Sequence, residues 1–241
     1  MPESRVPPSR RRSTRVPLSD RAYEALLLRM IGGELSPGDR LNIGGLSREL
    51  GLSPTPIREA LARLEPTGFV RRHAVRGYEV SPLLTPEQVS EQMDARQVLE
   101  PALAAAAVAH ASHEFLDRLA ETIATMERAG EVADPESLKE SWVADDAFHT
   151  LISLQSGNPF THRAFTALGS QLQRFRLSGR AGRTHAVEAA QEHRAILRAI
   201  QRGDAELAAE LMSDHIERAR HRTLVDALAI EEPVSGSVRT A

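Results

Sequence analysis

Residues 42–65, NIGGLSRELGLSPTPIREALARLE, decide how the front of this chain folds. They divide into two short helices joined by a tight turn. Leu46 and Leu50 lie four apart and give the first helix a short apolar stripe. Gly51 permits the turn. Ser53 stands where an N-cap belongs, and Pro54 takes the first helical position, where its missing N–H costs nothing. Ile57, Leu61 and Leu64 then recur at i, i+4 and i+7, which buries one face of the second helix. The opposite face carries Thr55, Arg58 and Ala62, with Arg63 close by. This is the pattern of a helix-turn-helix. In that reading the second helix lies in a major groove. The Ser53 and Thr55 hydroxyls reach phosphates and base edges, and Arg58 reaches a guanine or a phosphate. The same pattern also describes an ordinary helical hairpin with a solvated polar face.

Upstream, the spacing predicts a helix over Leu18–Ile31, capped by Ser19, with Tyr23, Leu26, Leu27 and Met30 as its stripe. Gly32 and Gly33 end it, and Pro37-Gly38 makes a turn. Downstream, Gly68 stops the second helix. Phe69–His73 and Tyr78–Pro82 read as a β-hairpin around residues 74–77. Arg76 and Gly77 stand at its tip, where they approach a minor groove or the backbone, while Phe69 and Val80 pack back on the helices. The front is therefore expected to be a winged helix over residues 18–82. Residues 1–17 hold Arg5, Arg10, Arg11, Arg12 and Arg15 among prolines and have no apolar period, so disorder is expected there. Such an arm is either a solvated tail or an extra set of phosphate contacts.

The runs LSPTPIREALARLEPTGFV (52–70) and YEALLLRMIGGELSPGDRL (23–41) resemble the recognition helix with its wing, and the first helix with its Pro-Gly turn, of GntR-type transcription regulators. The resemblance covers residues 18–82. It implies DNA contacts by Arg48, Ser53, Pro54, Thr55, Arg58, Arg63, Arg76 and Gly77. The chain departs from the pattern at two points. Pro54 stands where many such heads carry an arginine, and Gly44 and Gly45 where many carry a basic residue. Operator preference therefore does not transfer by analogy.

Composition separates front from rear. The chain carries a net charge of −3 over 241 residues, but residues 1–82 hold 14 Arg against 9 Asp+Glu, a net of +5. The remaining residues hold 16 Lys+Arg against 24 Asp+Glu, a net of −8. A basic head on an acidic rear suits a nucleic-acid-binding unit joined to a domain of another kind. The absence of cysteine excludes disulfides and thiolate metal sites and fits a cytoplasmic protein. No apolar run approaches the length of a membrane span, and no secretory signal is visible.

Beyond a linker over residues 82–85, Thr85-Pro86-Glu87-Gln88 reads as a capping box with proline at the first helical position. No strand pattern follows. Six helices are expected, at about 85–110, 112–130, 134–155, 159–178, 186–202 and 204–227, with a kink at Pro101 and a disordered tail over 230–241. The expected class is mainly α: an N-terminal winged helix-turn-helix with a small β-hairpin wing, then an all-α antiparallel bundle over 83–229.

Four polar residues interrupt the apolar stripes of that bundle. Trp142, Asp145, His149 and Ile152 share one helix face at offsets of 3, 7 and 10. His193 lies on the stripe of Leu197 and Ile200, and His215 on that of Leu207 and Leu211. Buried ionisable groups need partners, and one divalent cation could serve all four. Three imidazoles and a carboxylate suit zinc, and also nickel, iron or manganese. Spacing alone leaves the alternatives open, because a lone core histidine is more often hydrogen-bonded than metal-bound, and Asp145 beside Asp146 also reads as a solvated pair.

The runs MDARQVLEPALAAAA (93–107), DDAFHTLISLQSGNP (145–159), EHRAILRAI (192–200) and AAELMSDHIERA (208–219) resemble successive motifs of the FCD ligand-binding domain in the FadR branch of GntR regulators. Six helices suggest its smaller, VanR-like variant. The resemblance implies a metal held by Asp145, His149, His193 and His215, zinc foremost. It also implies a small organic acid bound beside the metal, with Arg96 as the matching arginine. Arg174 and Arg176 are further candidates to line that pocket. Arg96 has a plainer role available, an ion pair with Glu100 at i+4. Asn158 is expected to cap the helix that follows it. The whole reading is a homodimeric, ligand-responsive transcription regulator, acting as a repressor on double-stranded palindromic operator DNA, with no membrane partner and no enzymatic activity. Two rivals stand beside it: a metal-responsive regulator in which the cation is the signal, and a metal-dependent hydrolase fused to a DNA-binding head.

Overall fold

A computed structural model describes residues 17–132, 134–168 and 185–231. The proposed arm, most of the proposed tail, the second half of the helix expected at 159–178, Arg174 and Arg176 lie outside the described residues.

Helix α1 spans Leu18–Ile31, α2 Ile43–Leu50 and α3 Pro54–Leu64. Strands β1 (Arg40–Leu41), β2 (Val70–His73) and β3 (Gly77–Val80) form one antiparallel sheet in the order β1-β3-β2. The wing is thus the expected hairpin, widened by a two-residue strand too short to read from the sequence. Leu26, Ile57, Leu61, Leu64, Phe69 and Val80 are fully buried and make the core of the head.

Several local expectations need correction. The N-cap of α1 is Pro17, not Ser19, and makes no side-chain cap. Ser53 holds the N-cap position of α3 with extended backbone, yet its hydroxyl makes no capping bond. The cap that does form is on α2, where the Asn42 side chain accepts from the Gly45 amide at 2.9 Å. Helix α3 ends at Leu64, before Gly68. The turn after it is closed by the Thr67 hydroxyl on the Leu64 carbonyl, and Gly68 adopts φ 75°. Gly51 meets the turn's demand, with φ 62° in the left-handed region that glycine enters without strain.

The rear is all helix among the described residues: α4 Pro86–Val108, α5 His113–Gly130, α6 Pro135–Gln155, α7 Pro159–Ala167, α8 Ala186–Gln201 and α9 Ala205–Glu231. The capping box at Thr85 forms in both directions, with Gln88 N–H on the hydroxyl and Gln88 Oε1 on the Thr85 amide. Helix α4 runs unbroken through Pro101. It packs along α9, to which Gln97 donates at Ser213 (2.6 Å) and Asp94 pairs with Arg220 (2.7 Å). Asn158 caps α7 as expected. Gly130 ends α5 against α8, where a Cβ would stand 3.0 Å from that of Ala186. No helix among the described residues is long and apolar enough to cross a membrane.

Head and bundle share a boundary. Trp142, on α6, is 4% exposed and belongs to the hydrophobic core of the head, with Leu138 packed beside it. Lys139 bridges Glu136 and, at 3.0 Å, Glu24 of α1. Trp142 does not share the surroundings of Asp145 and His149, as expected from the sequence. Seven residues fall only about 20° short of two whole turns, so Trp142 and His149 share a stripe, and it is the separation of roughly 10 Å along the axis that puts Trp142 in the core of the head.

Candidate metal centre and nucleic-acid interface

Three helices bring Asp145, His149, His193 and His215 to one point in the bundle. Asp145 and His149 stand one turn apart on α6, where side chains at i and i+4 project from one face. His193 comes from α8 and His215 from α9. All four are at most 2% exposed, and their ligand atoms lie within 4.8 Å of one another. His193 Nε2 is 3.4 Å from His215 Nε2 and 3.7 Å from Asp145 Oδ1, and His149 Nε2 is 3.9 Å from Asp145 Oδ2. Ligands at 2.0–2.2 Å around one tetrahedral ion sit roughly 3.4 Å apart. The nearest pairs match that spacing, and a nitrogen-rich donor set with one carboxylate suits zinc.

The rings are held from behind. His149 turns Nδ1 to Glu100 Oε2 at 2.6 Å, which leaves Nε2 for the cluster. His215 turns Nδ1 to Glu192 Oε2 at 2.7 Å. Glu192 is in turn gripped at both oxygens by Arg222, at 2.8 and 2.9 Å. His193 stacks flat on Phe148, centroids 3.9 Å apart. Carboxylates behind metal-binding imidazoles fix the tautomer and ring angle. Burial pushes the His215 imidazole down to about 4 against the opposing pull of Glu192, so the ring stays neutral and its lone pair is available. For Glu192, burial would raise the carboxyl, but Arg222 and His215 outweigh it and bring it to about 2. Burial likewise opposes ionisation of Glu100, and Arg96 with His149 holds it well below the usual carboxylate range. Glu192, Arg222 and Phe148 carried no signal in the sequence. Glu192 shares the charged pattern of any solvated helix position, and only the approach of α9 reveals its role.

Arg96 lies at the same cluster, 1% exposed, with Nη2 3.5 Å from His149 Nε2. It spends Nε and Nη2 on Glu100, at 2.5 and 3.3 Å. The plainer role weighed for it, the i+4 ion pair, is therefore present in the fold.

The DNA-side residues fall into two groups. Arg48, Ser53, Pro54, Thr55, Arg58, Arg76 and Gly77 are exposed. Arg48, Arg58 and Arg76 have no acidic partner among the described residues. Gly77 turns the wing tip at φ 76°. Arg63, also exposed, differs in having an acidic partner, with Nη1 2.5 Å from Asp20 Oδ1 and its guanidinium 4.7 Å from the Tyr23 ring centre.

Comparison with known proteins agrees with this division. Residues 18–80 match the family model "Bacterial regulatory proteins, gntR family", and residues 91–218 match the FCD domain. The probable D-xylose utilization operon transcriptional repressor of Paenarthrobacter nicotinovorans is 26% identical over 206 residues, 86% of this chain and 88% of that protein. The HTH-type transcriptional repressor GlaR of Escherichia coli (strain K12) is 26% identical over 199 residues, 80% of this chain and 90% of that protein. Among solved structures, E. coli McbR/YncC superposes with a TM-score of 0.64 at 22% identity, covering 87% of this chain and 98% of that one. This last likeness concerns the fold alone.

Proposed function

The chain belongs to the GntR family of bacterial regulatory proteins, with an FCD domain behind its winged head, and is a transcription regulator; we propose that it is a repressor whose operator binding is set by a small organic acid held beside a divalent metal. The observation that carries the metal is the convergence of Asp145, His149, His193 and His215 at one buried point. An ion there, zinc foremost, would offer open coordination positions to a carboxylate. Glu100 and Glu192 orient the imidazoles, and the bundle around them excludes water. In the head, Ser53, Thr55 and Arg58 at the start of α3 enter the major groove, Arg48 meets phosphate, and Arg76 with Gly77 brings the wing to the backbone. Two protomers read the two halves of a palindrome. The repressor sense follows the two relatives named above and is carried over by analogy.

Arg96 favours a second reading. It is the arginine that would receive the acid, and Glu100 already occupies two of its donors. If Glu100 keeps it, the cation itself is the signal. One experiment separates the two. Metal content is measured by mass spectrometry on the purified protein, and binding to the DNA upstream of its own gene is followed with chelator, with zinc, and with zinc plus a panel of small carboxylic acids. Release only on adding an acid supports the first reading, and a response to metal alone supports the second. Full-strength DNA binding whatever the metal and acid content refutes both.

A further inference from the structure

An event at the centre of the bundle alters DNA binding only if something rigid runs from there to the head. Helix α6 does so. One end of it plugs into the head: Trp142 and Leu138 complete the head's hydrophobic core, and Lys139 ties α6 to Glu24 on α1. A turn further on, the same helix supplies Asp145 and His149, two of the four clustered ligands. Trp142 and His149 are seven residues apart, roughly 10 Å along the axis of a helix, which moves as a unit over that length. Beside this junction opens a groove of about 700 Å³, lined by Tyr23, Glu24 and Leu27 from α1 and by Val143 and Ala147 from α6, among others. The head is therefore seated on the first half of α6, through Leu138, Lys139 and Trp142, with an open groove beside the seat.

We infer that α6 couples the bundle centre to the head, with Trp142 as the anchor on the head side and Asp145 and His149 as the grip on the site side. The inference rests on the metal reading given above. The other route is covalent, through residues 81–85 into α4, which carries Arg96 and Glu100. Along it Arg96 lies eleven residues beyond Thr85, roughly 16 Å of helix. Trp142 is thus a positioning residue. It is not one of the four clustered ligands, and its effect is on how far DNA binding depends on them.

Trp142 is the only tryptophan in the chain, so its emission reports this junction without a label. Zinc is closed-shell and redox-inert and leaves indole emission unquenched by itself. The full-length, metal-stripped protein is titrated with zinc while calorimetry, Trp142 emission and the anisotropy of a labelled duplex of its own upstream DNA are recorded. In the wild type, zinc binds, and its binding, alone or together with an acid from the panel above, shifts the emission and changes DNA affinity by about fivefold or more, the range of ordinary site-to-site coupling; this response is the zinc dependence followed in the variants. In Trp142→Ala, zinc affinity stays within about twofold while DNA affinity loses most of its zinc dependence, and Trp142→Phe restores it. If the alanine variant does not fold, Lys139→Met severs the bridge to α1 and should halve the coupling or better. Zinc binding with an unmoved emission, or an alanine variant that keeps the full zinc dependence, overturns the inference and leaves the metal reading intact. No zinc binding in calorimetry overturns both.

Discussion

Glu192 does its work at one remove. It touches His215, and Arg222 keeps it there. Its replacement by Gln keeps the shape but weakens the hold on the ring, and should lower zinc affinity by about 10- to 100-fold in a calorimetric titration while leaving helix content unchanged. The same corner sets an acid limit. His215 ionises at about 4 in the fold, below its ordinary value near 6.5, so the unfolded chain takes up that proton first. The associated stability is complete above about pH 6.5 and is lost as pH falls towards 4. Glu192, at about 2 instead of its usual 4.5, adds a loss of the same sign at lower pH. The melting temperature of the metal-free protein should therefore fall steadily from pH 6.5 to 4, and His215→Phe should flatten that slope. At this scale the four clustered residues stood out as imidazoles and a carboxylate on apolar stripes, but spacing left their shared role open, and the family resemblance is what grouped them. Glu192 and Arg222 did not stand out, because a charged residue on a helix looks the same whether it faces water or another helix. Ser19 and Ser53 show the converse. Residue type made them caps, and the backbone gave neither of them a capping bond.

Among the elements, α3 carries the DNA-reading hypothesis. Arg58 is exposed and has no acidic partner among the described residues, so Arg58→Ala should cost about 1–3 kcal/mol of DNA affinity in a gel-shift titration if it makes a bidentate base contact. An unchanged affinity would reassign the contact. Helix α4 supports a prediction about stability. Its capping box is formed on both sides, and Thr85→Ala should destabilise the protein by about 1 kcal/mol in urea unfolding. Most helix bounds were legible from the 3.6-residue period to within a residue or two, since burial of a stripe decides them, but α9 runs on to Glu231 past the expected 227, and α7 ends at Ala167 where a helix to 178 was expected. Pro101 was read as lying inside one helix and kinking it, and α4 does run on past Pro101 as one helix, packed along α9. Strand β1 left no trace in the sequence, since two residues have no period. It exists because β3 offers an open edge, paired Arg40 to Glu79 and Leu41 to Tyr78.

For the whole molecule, the division into a basic front and an acidic rear was written in composition, and the family models fall on either side of the same linker. The seating of one on the other was not. Trp142 shares a stripe with Asp145 in projection, and only the three-dimensional path of α6 past α1 sends it to the head. The charge division predicts that DNA binding weakens steeply with salt and that log K falls linearly with log salt, with a slope that Arg48→Ala makes shallower by about 1. One detail of the head bears on how such a regulator finds its place in a genome. Under the proposed reading, with Arg63 paired to Asp20 and lying over Tyr23, the reading edge of each protomer is the start of α3 from Ser53 to Arg58. A tooth that short specifies only a few letters, far too few to single out one address among millions. Selectivity must then reside in the gap between two such teeth, so inserting one base pair at the centre of the target should do more harm than changing any letter the protein touches.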